Sequence, residues 1–283
     1  MDEARVSVLL PVKHYHPSFL EQSVRSILEQ SCPSWRLVVV VEPDDRERFQ
    51  SELAWALSDR RVRLITNGGR KLAGAINTAM RHAETEFVAI LLADDLWALD
   101  AIEVLTRHIA DHPEVDFFHS SRRVVDENTR PISSVHRSRQ SFTLGDFVRG
   151  SPVKHLLCWR RAKALSIGGL DESLNSVGPD DYDFPWTMAE RGARFRAVPE
   201  CLYVYRDHRD CYRLTTHLPL SVHTRGADRI MRKHGVGWWA RKMRLLRVRR
   251  TYLRQCLFRN ALDKWLKERR GYDARAGWRE TYV

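Results

Sequence analysis

Two adjacent carboxylates, Asp94 and Asp95, stand at the exit of an apolar run, Phe87-Val88-Ala89-Ile90-Leu91-Leu92. Side by side they repel each other and add nothing to a core, so their placement needs a chemical reason. At the carboxyl end of a buried parallel strand they lie where open α/β sheets bind ligands. There a carboxylate can hold a divalent cation against a phosphate-bearing substrate. A solvated acidic turn is the plain alternative, but further polar groups are arranged around the pair along the chain. Pro11-Val12 and Glu42 close two earlier apolar runs, and an Asn67-Gly68-Gly69 turn delivers Arg70 and Lys71 ahead of a small-residue segment containing Asn77. A second acidic pair, Asp180-Asp181, is followed by Tyr205-Arg206-Asp207-His208.

The segments that must position these groups alternate between two periods. Apolar runs at residues 6–12, 37–41 and 87–92, the first interrupted by Ser7, read as buried strands, and Val62-Arg63-Leu64-Ile65 reads as a short third strand. Between them, residues 17–29, 49–57 and 72–81 read as helices, the first with Phe19, Leu20, Val24, Ile27 and Leu28 at helical spacing. This alternation implies right-handed βαβ units and an α/β fold with an open, mostly parallel sheet. Beyond Trp97 the pattern is mixed. It predicts a helix over 102–109, a strand over 115–119, a polar, loop-rich stretch over 120–141, a helix over 186–191 and short strands over 195–198 and 202–205. From about residue 227 the signal is helical and basic.

The composition, 283 residues with 43% hydrophobic and 29% charged, is that of a folded soluble protein of one large or two small domains. No apolar run approaches the roughly 18 residues that span a bilayer. Met1-Asp2-Glu3-Ala4-Arg5 lacks a signal-peptide pattern. Five scattered cysteines without metal-ligand spacing read as reduced thiols of a cytoplasmic protein. The net charge of +11 is concentrated at the end: residues 225–283 hold 18 Lys and Arg against 5 Asp and Glu, so the body is near neutral. That distribution argues against a nucleic-acid-binding body, and no nucleic-acid motif is present.

Taken in order, the strand-end residues, the Gly-Gly turn with Arg70 and Lys71, the two acidic pairs, the Gly168-Gly169-Leu170-Asp171-Glu172 segment and the Tyr205-Arg206-Asp207-His208 run resemble the inverting glycosyltransferases of family 2, which have the GT-A fold. The resemblance covers about residues 5–210. It implies a catalytic domain over 1–224, with a nucleotide-binding half (1–97) and an acceptor-binding half (98–224), and a basic helical tail over 225–283. Three departures stand out. Leu92 replaces the first carboxylate of the usual Asp-x-Asp-Asp, Glu42-Pro43-Asp44-Asp45 stands for Asp-Asp-Gly-Ser, and the second pair is Asp-Asp rather than Glu-Asp.

The resemblance also implies roles. Asp95 and His208 are expected to hold the metal, Mn²⁺ or Mg²⁺, with imidazole favouring Mn²⁺. Asp94 is expected to accept a ribose or sugar hydroxyl, and Glu42 to contact the base. Pro11, Val12, Asn67, Arg70 and Lys71 complete the nucleotide-sugar site. Asp181 is expected to be the general base, with Asp180 shaping the site beside it. His155 falls in the acceptor half, and Tyr182, Phe184 and Trp186 read as core, with one ring available to stack on a sugar. The expected activity moves a sugar from a nucleotide diphosphate, most often UDP, to a glycan or lipid-linked acceptor. A catalytically inactive nucleotide-sugar binding protein of the same fold is the rival reading.

The tail has its own logic. Residues 225–270 carry 16 Lys and Arg and three acids, and Trp239, Met243, Leu246, Leu253 and Leu257 fall on one helical stripe. Arg241, Arg244, Arg247, Arg250 and Arg254 are expected to face away from it. Such a helix suits an anionic membrane surface, packing on the body, or a homodimer contact. The protein is accordingly expected in the cytoplasm, at the inner face of the membrane if the tail binds lipid.

Overall fold

The computed structural model describes residues 4–13, 15–174, 178–207 and 219–253. One eight-stranded sheet organises them: β1 (Val6–Pro11), β2 (Trp35–Val41), β3 (Val62–Thr66), β4 (Phe87–Ile90), β5 (Leu96–Trp97), β6 (Phe117–Val125), β7 (Leu157–Arg160) and β8 (Phe195–Arg206). Their order is β3-β2-β1-β4-β7-β6-β8-β5. Strands β1 to β4 pair in parallel, as do β6 and β8, while β7 and β5 run antiparallel to their neighbours.

Parallel strands are apolar on both sides because helices cover both faces. Every residue of β1 is buried, with Val6, Val8 and Leu10 facing one cluster and Leu9 the other. On the first face lie α1 (Pro17–Leu28), the short pair α2 (Arg46–Glu52) and α3 (Ala54–Leu57), and α5 (Ala101–Asp111). On the second lie α4 (Lys71–His82), α7 (Arg161–Ser166) and α8 (Phe184–Glu190). A third buried cluster joins α6 (Leu144–Phe147) and α8 to a helix α9 (Leu220–Lys233) through Phe147, Trp186, Ile230 and Met231. The last described helix is α10 (Trp238–Tyr252).

Several expectations are refined here. The helix expected over 49–57 is two short helices. The two strands expected at 195–198 and 202–205 form one strand, β8, whose pairing with β6 shifts register at Ser120–Arg122. The loop expected from Ser120 onward begins instead as strand, because β6 runs to Val125 between β7 and β8. Its serines are buried yet bonded: Ser121 Oγ donates to Pro199 O at 2.8 Å and accepts from Ser138 N at 2.9 Å. The boundary expected at 224/225 falls inside α9, which shares a buried cluster with α6 and α8.

One buried group makes the stability pH-dependent. His119 on β6 is 1% exposed, and neither ring nitrogen has a hydrogen-bond partner. Burial pushes its pKa down to about 4. The unfolded chain therefore takes up a proton near pH 6.5 that the folded chain refuses until about pH 4. The stability this group contributes is complete above pH 6.5 and is lost as pH falls toward 4, by about 3 kcal/mol. Urea unfolding across that window should show a smaller loss for His119→Phe than for the wild type; equal slopes would count against it.

Candidate active site

The carboxyl ends of β1, β2 and β3 gather the first half of the site. Val12 N donates to Val40 O at 2.8 Å, which continues β1 one residue beyond the buried Pro11. Glu42 follows β2 directly, and its Oε1 accepts from Asn67 Nδ2 at 3.2 Å and lies 3.9 Å from Lys13 Nζ. Asn67 also donates from Nδ2 to Lys71 O at 3.3 Å and accepts at Oδ1 from Gly69 N at 2.9 Å. Val12, Glu42, Asn67 and Lys71 thus stand together at the carboxyl ends of β1, β2 and β3. Lys71 has a left-handed backbone, φ 54°, which is uncommon for a lysine. Arg70 is exposed beside it.

The Gly-Gly turn works by close approach. A Cβ on Gly69 would lie 2.7 Å from Gly74 Cα and 2.8 Å from Glu172 Oε1, so the turn and α4 meet with no side chain between them. Glu172 accepts from Arg70 N at 2.8 Å, and Asn77 exchanges two hydrogen bonds with Leu170, at 2.9 and 2.8 Å. The Gly168–Glu172 segment is therefore stitched onto α4, tying the two halves of the site together. Glu172 and Asn77 are positioning groups that the sequence flagged by type and place but not by contact.

The first acidic pair divides by burial. Asp95, the expected metal ligand, is 0% exposed. Its Oδ2 accepts from Tyr203 Oη at 2.6 Å and its Oδ1 from Arg206 N at 2.7 Å, while Ser23 Oγ donates to its main-chain oxygen at 2.5 Å. Burial, reinforced by the Asp94 charge, pushes the Asp95 carboxyl up to about 8 against those two hydrogen bonds. Arg206, also wholly buried, donates from Nε to Asp94 O at 2.9 Å, from Nη1 to Glu127 O at 3.1 Å and from Nη2 to Gln22 Oε1 at 2.8 Å. This network latches the β4 exit to β8 and α1. The member of the pair with solvent-exposed surface is Asp94.

The second pair lies on the wide helical turn Pro179–Asp183 that leads into α8. Asp180 is 6% exposed and its Oδ2 lies 3.4 Å from His155 Nε2. Burial alone would lower His155, but the Asp180 hydrogen bond and the charges of Asp180 and Asp181 hold it above its ordinary value. Asp181, only partly buried in its surroundings, is raised by desolvation and then by Asp180; His155, Arg122 and Lys154 pull against that rise. The His155 ring packs on Tyr203, centroids 5.2 Å apart. One chain of contacts, Asp95–Tyr203–His155–Asp180, thus joins the two acidic pairs. Arg122, Lys154 and Tyr203 carried no motif signal, since each acts through its place on or beside β6, β7 and β8.

Trp186 stacks on His234 at 4.1 Å and Phe184 lies in the core, as expected; Tyr182 donates from Oη to Phe147 O at 2.7 Å. His208 lies outside the described residues. Among the described residues no group of three or more His, Cys, Asp and Glu is arranged to hold a metal. A cation bound mainly by a substrate diphosphate needs only one or two carboxylates from the protein, and an oxygen donor such as Asp94 suits Mg²⁺ or Mn²⁺. The residues present fit that arrangement.

The mixed, mostly parallel sheet, with acidic groups at its strand exits, defines an α/β fold whose candidate site lies at the carboxyl edge of the sheet. The family model described as glycosyl transferase family 2 matches residues 7–162. The chain is 29% identical over 192 residues to the UDP-Glc:alpha-D-GlcNAc-diphosphoundecaprenol beta-1,3-glucosyltransferase WfgD of Escherichia coli, covering 67% of this chain and 68% of that protein. It is 26% identical over 217 residues to the putative glycosyltransferase EpsE of Bacillus subtilis, covering 74% and 75%. Its fold is similar to that of S. aureus TarS crystallised with UDP-GlcNAc, with a TM-score of 0.61 at 16% identity over 89% of this chain and 73% of that one. The chain belongs to glycosyl transferase family 2, with a GT-A-like fold, and is a glycosyltransferase.

Proposed function

We propose that the protein transfers a sugar from a UDP-sugar to a hydroxyl of a lipid-linked saccharide, with inversion and with help from a divalent cation. The observation that supports this reading is the contact chain Asp95–Tyr203–His155–Asp180, which links the neighbours of the two carboxylates, Asp94 and Asp181, to which the reading gives its donor-side and acceptor-side roles. The donor base is supported by WfgD, whose name specifies UDP-Glc, and by the fold shared with TarS in complex with UDP-GlcNAc. The acceptor class is supported by the diphosphoundecaprenol acceptor in the same relative's name.

Within this reading Val12, Glu42 and Asn67 receive the nucleoside, and Arg70 and Lys71 meet the diphosphate. Asp94, with its exposed surface, takes the metal-facing role in place of Asp95, and His208 remains the proposed second ligand. A bound cation would neutralise the charge that grows on the leaving diphosphate. Asp181 accepts the proton of the acceptor hydroxyl as its oxygen bonds to the anomeric carbon and the bond to the diphosphate breaks. Its raised pKa makes it a stronger base than a solvated carboxylate. Displacement in one step from the opposite face inverts the anomeric centre without a covalent intermediate.

Thermal unfolding with UDP, GDP, dTDP, CMP and their sugars, with and without Mn²⁺, tests the donor. A nucleotide at a hundred times its Kd stabilises by about 2.7 kcal/mol, which raises Tm by about 5–10 °C. The expected result is such a rise for UDP and one UDP-sugar, larger with Mn²⁺. A rise for another nucleotide alone would overturn the base, and no rise with any of them would overturn nucleotide-sugar binding itself, in the active and the inactive reading alike.

A further inference from the structure

Helix α10 is held by one face only. Leu245 and Val248 pack against the buried cluster that contains Ile230 and Met231, and Arg241 Nε lies 3.2 Å from Asp228 Oδ1 on α9. At 100° per residue the opposite face carries Trp239, Met243, Leu246, Arg250 and Leu253. Its apolar members are open: Trp239 is 75% exposed, Met243 55%, Leu246 57% and Leu253 46%. Exposed Lys242, Arg247 and Arg249 border the stripe. The sequence expectation that the arginines oppose the stripe is therefore amended: Arg250 stands within it, and Arg241 and Arg244 face the body, the latter within reach of the Gly150 backbone.

Beside the stripe, α9 and α10 enclose a groove of about 260 Å³ with Arg225, Arg232, Arg241, Lys242 and Arg249 along it and Trp238 in its wall. Asp228 is the acid in the groove, and it is already engaged by Arg232 at 2.7 Å and Arg241 at 3.2 Å. The groove thus has positive charge to spare, and the adjoining surface is apolar and tryptophan-rich. That pairing fits an amphiphile with an anionic head.

We propose that α9 and α10 dock the protein on an anionic bilayer, with a lipid phosphate in the groove and Trp239, Met243, Leu246 and Leu253 in the interfacial layer. Tryptophan belongs at that boundary because its ring is apolar and its N–H is wet. A second copy of the chain fits less well, since residues 219–253 hold ten Lys and Arg against one Asp and two such faces repel. Nucleic acid would engage the cations but leave the apolar stripe without a role. The inference does not rest on the proposed donor or acceptor.

Flotation of the full-length protein with vesicles of about 30% phosphatidylglycerol in phosphatidylcholine, against phosphatidylcholine alone, tests it. The expected result is co-flotation with the anionic vesicles alone at about 0.1 M salt, largely lost at about 1 M. Arg247→Ala with Arg250→Ala should lower partition about thirty-fold. Trp239→Ala with Leu246→Ala should also lower it, and neither pair should change Tm, because all four side chains are exposed. No flotation at low salt would overturn the proposal, as would flotation indifferent to both pairs. Stabilisation by inorganic phosphate without flotation would make the groove a free-anion site, and an altered sedimentation mass without altered flotation would make the stripe a dimer contact.

Discussion

Asp181→Asn is expected to lower turnover about 10²–10⁴-fold while leaving nucleotide binding intact. The amide keeps the shape and the hydrogen-bonding reach of the carboxylate but cannot accept the proton of an attacking hydroxyl. Asp181 lies on the Pro179–Asp183 turn, apart from the Glu42–Asn67 edge that is proposed to receive the nucleoside. The two readouts should therefore separate. Turnover is measured as UDP released from whichever UDP-sugar stabilises the wild type most, and binding as the Tm rise with the same ligand. Wild-type turnover in Asp181→Asn would remove this residue as the base. A loss of the Tm rise as well would mean that it binds donor instead.

The second large effect separates neighbours. Asp95→Ala should destabilise the protein by about 3–5 kcal/mol, because it removes the acceptor of two buried donors, Tyr203 Oη and Arg206 N, and leaves a void beside a buried guanidinium. Asp94→Ala removes a partly exposed side chain, so its Tm should stay near that of the wild type. It should instead abolish the Mn²⁺-dependent part of nucleotide stabilisation. Urea unfolding and nucleotide thermal shifts on the two variants decide the matter. If Asp95→Ala folds with wild-type stability and loses the Mn²⁺ effect, while Asp94→Ala keeps it, Asp95 is the ligand and the latch reading is wrong.

Much of the first hundred residues was legible from order alone. Each of the runs at 6–12, 37–41, 62–65 and 87–92 became a strand of the parallel sheet: the inner three are almost wholly apolar because both their faces are covered, while the edge strand at 62–65 keeps an exposed Arg63. The strand-end residues followed, since the polar groups that stop such runs necessarily gather at one edge of the sheet. Beyond Trp97 local pattern was a poorer guide. Strand β6 continues through Ser120, Ser121, Arg122 and Arg123; buried Ser121 is satisfied by Pro199 O and Ser138 N, and buried Ser120 by Ser121 O and Leu156 N, most of them partners outside the strand. Strand β7 is four residues long and has no period to detect.

What the sequence determined by itself is the family, the parallel half of the sheet and the place of the two acidic pairs in the chain, because residue types and their order carry those. Tertiary structure alone decided how the members of each pair differ. Asp94 and Asp95 are chemically the same side chain, and the turn at Ala93-Asp94, closed by Asp95 N donating to Leu92 O at 3.1 Å, leaves the first partly exposed and buries the second in the contacts of Tyr203 and Arg206. His155, similarly, was placed by the sequence only in the acceptor half, and the fold set it between Tyr203 and Asp180. Burial and charge at a point in space are sums over residues distant in sequence, so no local spacing encodes them.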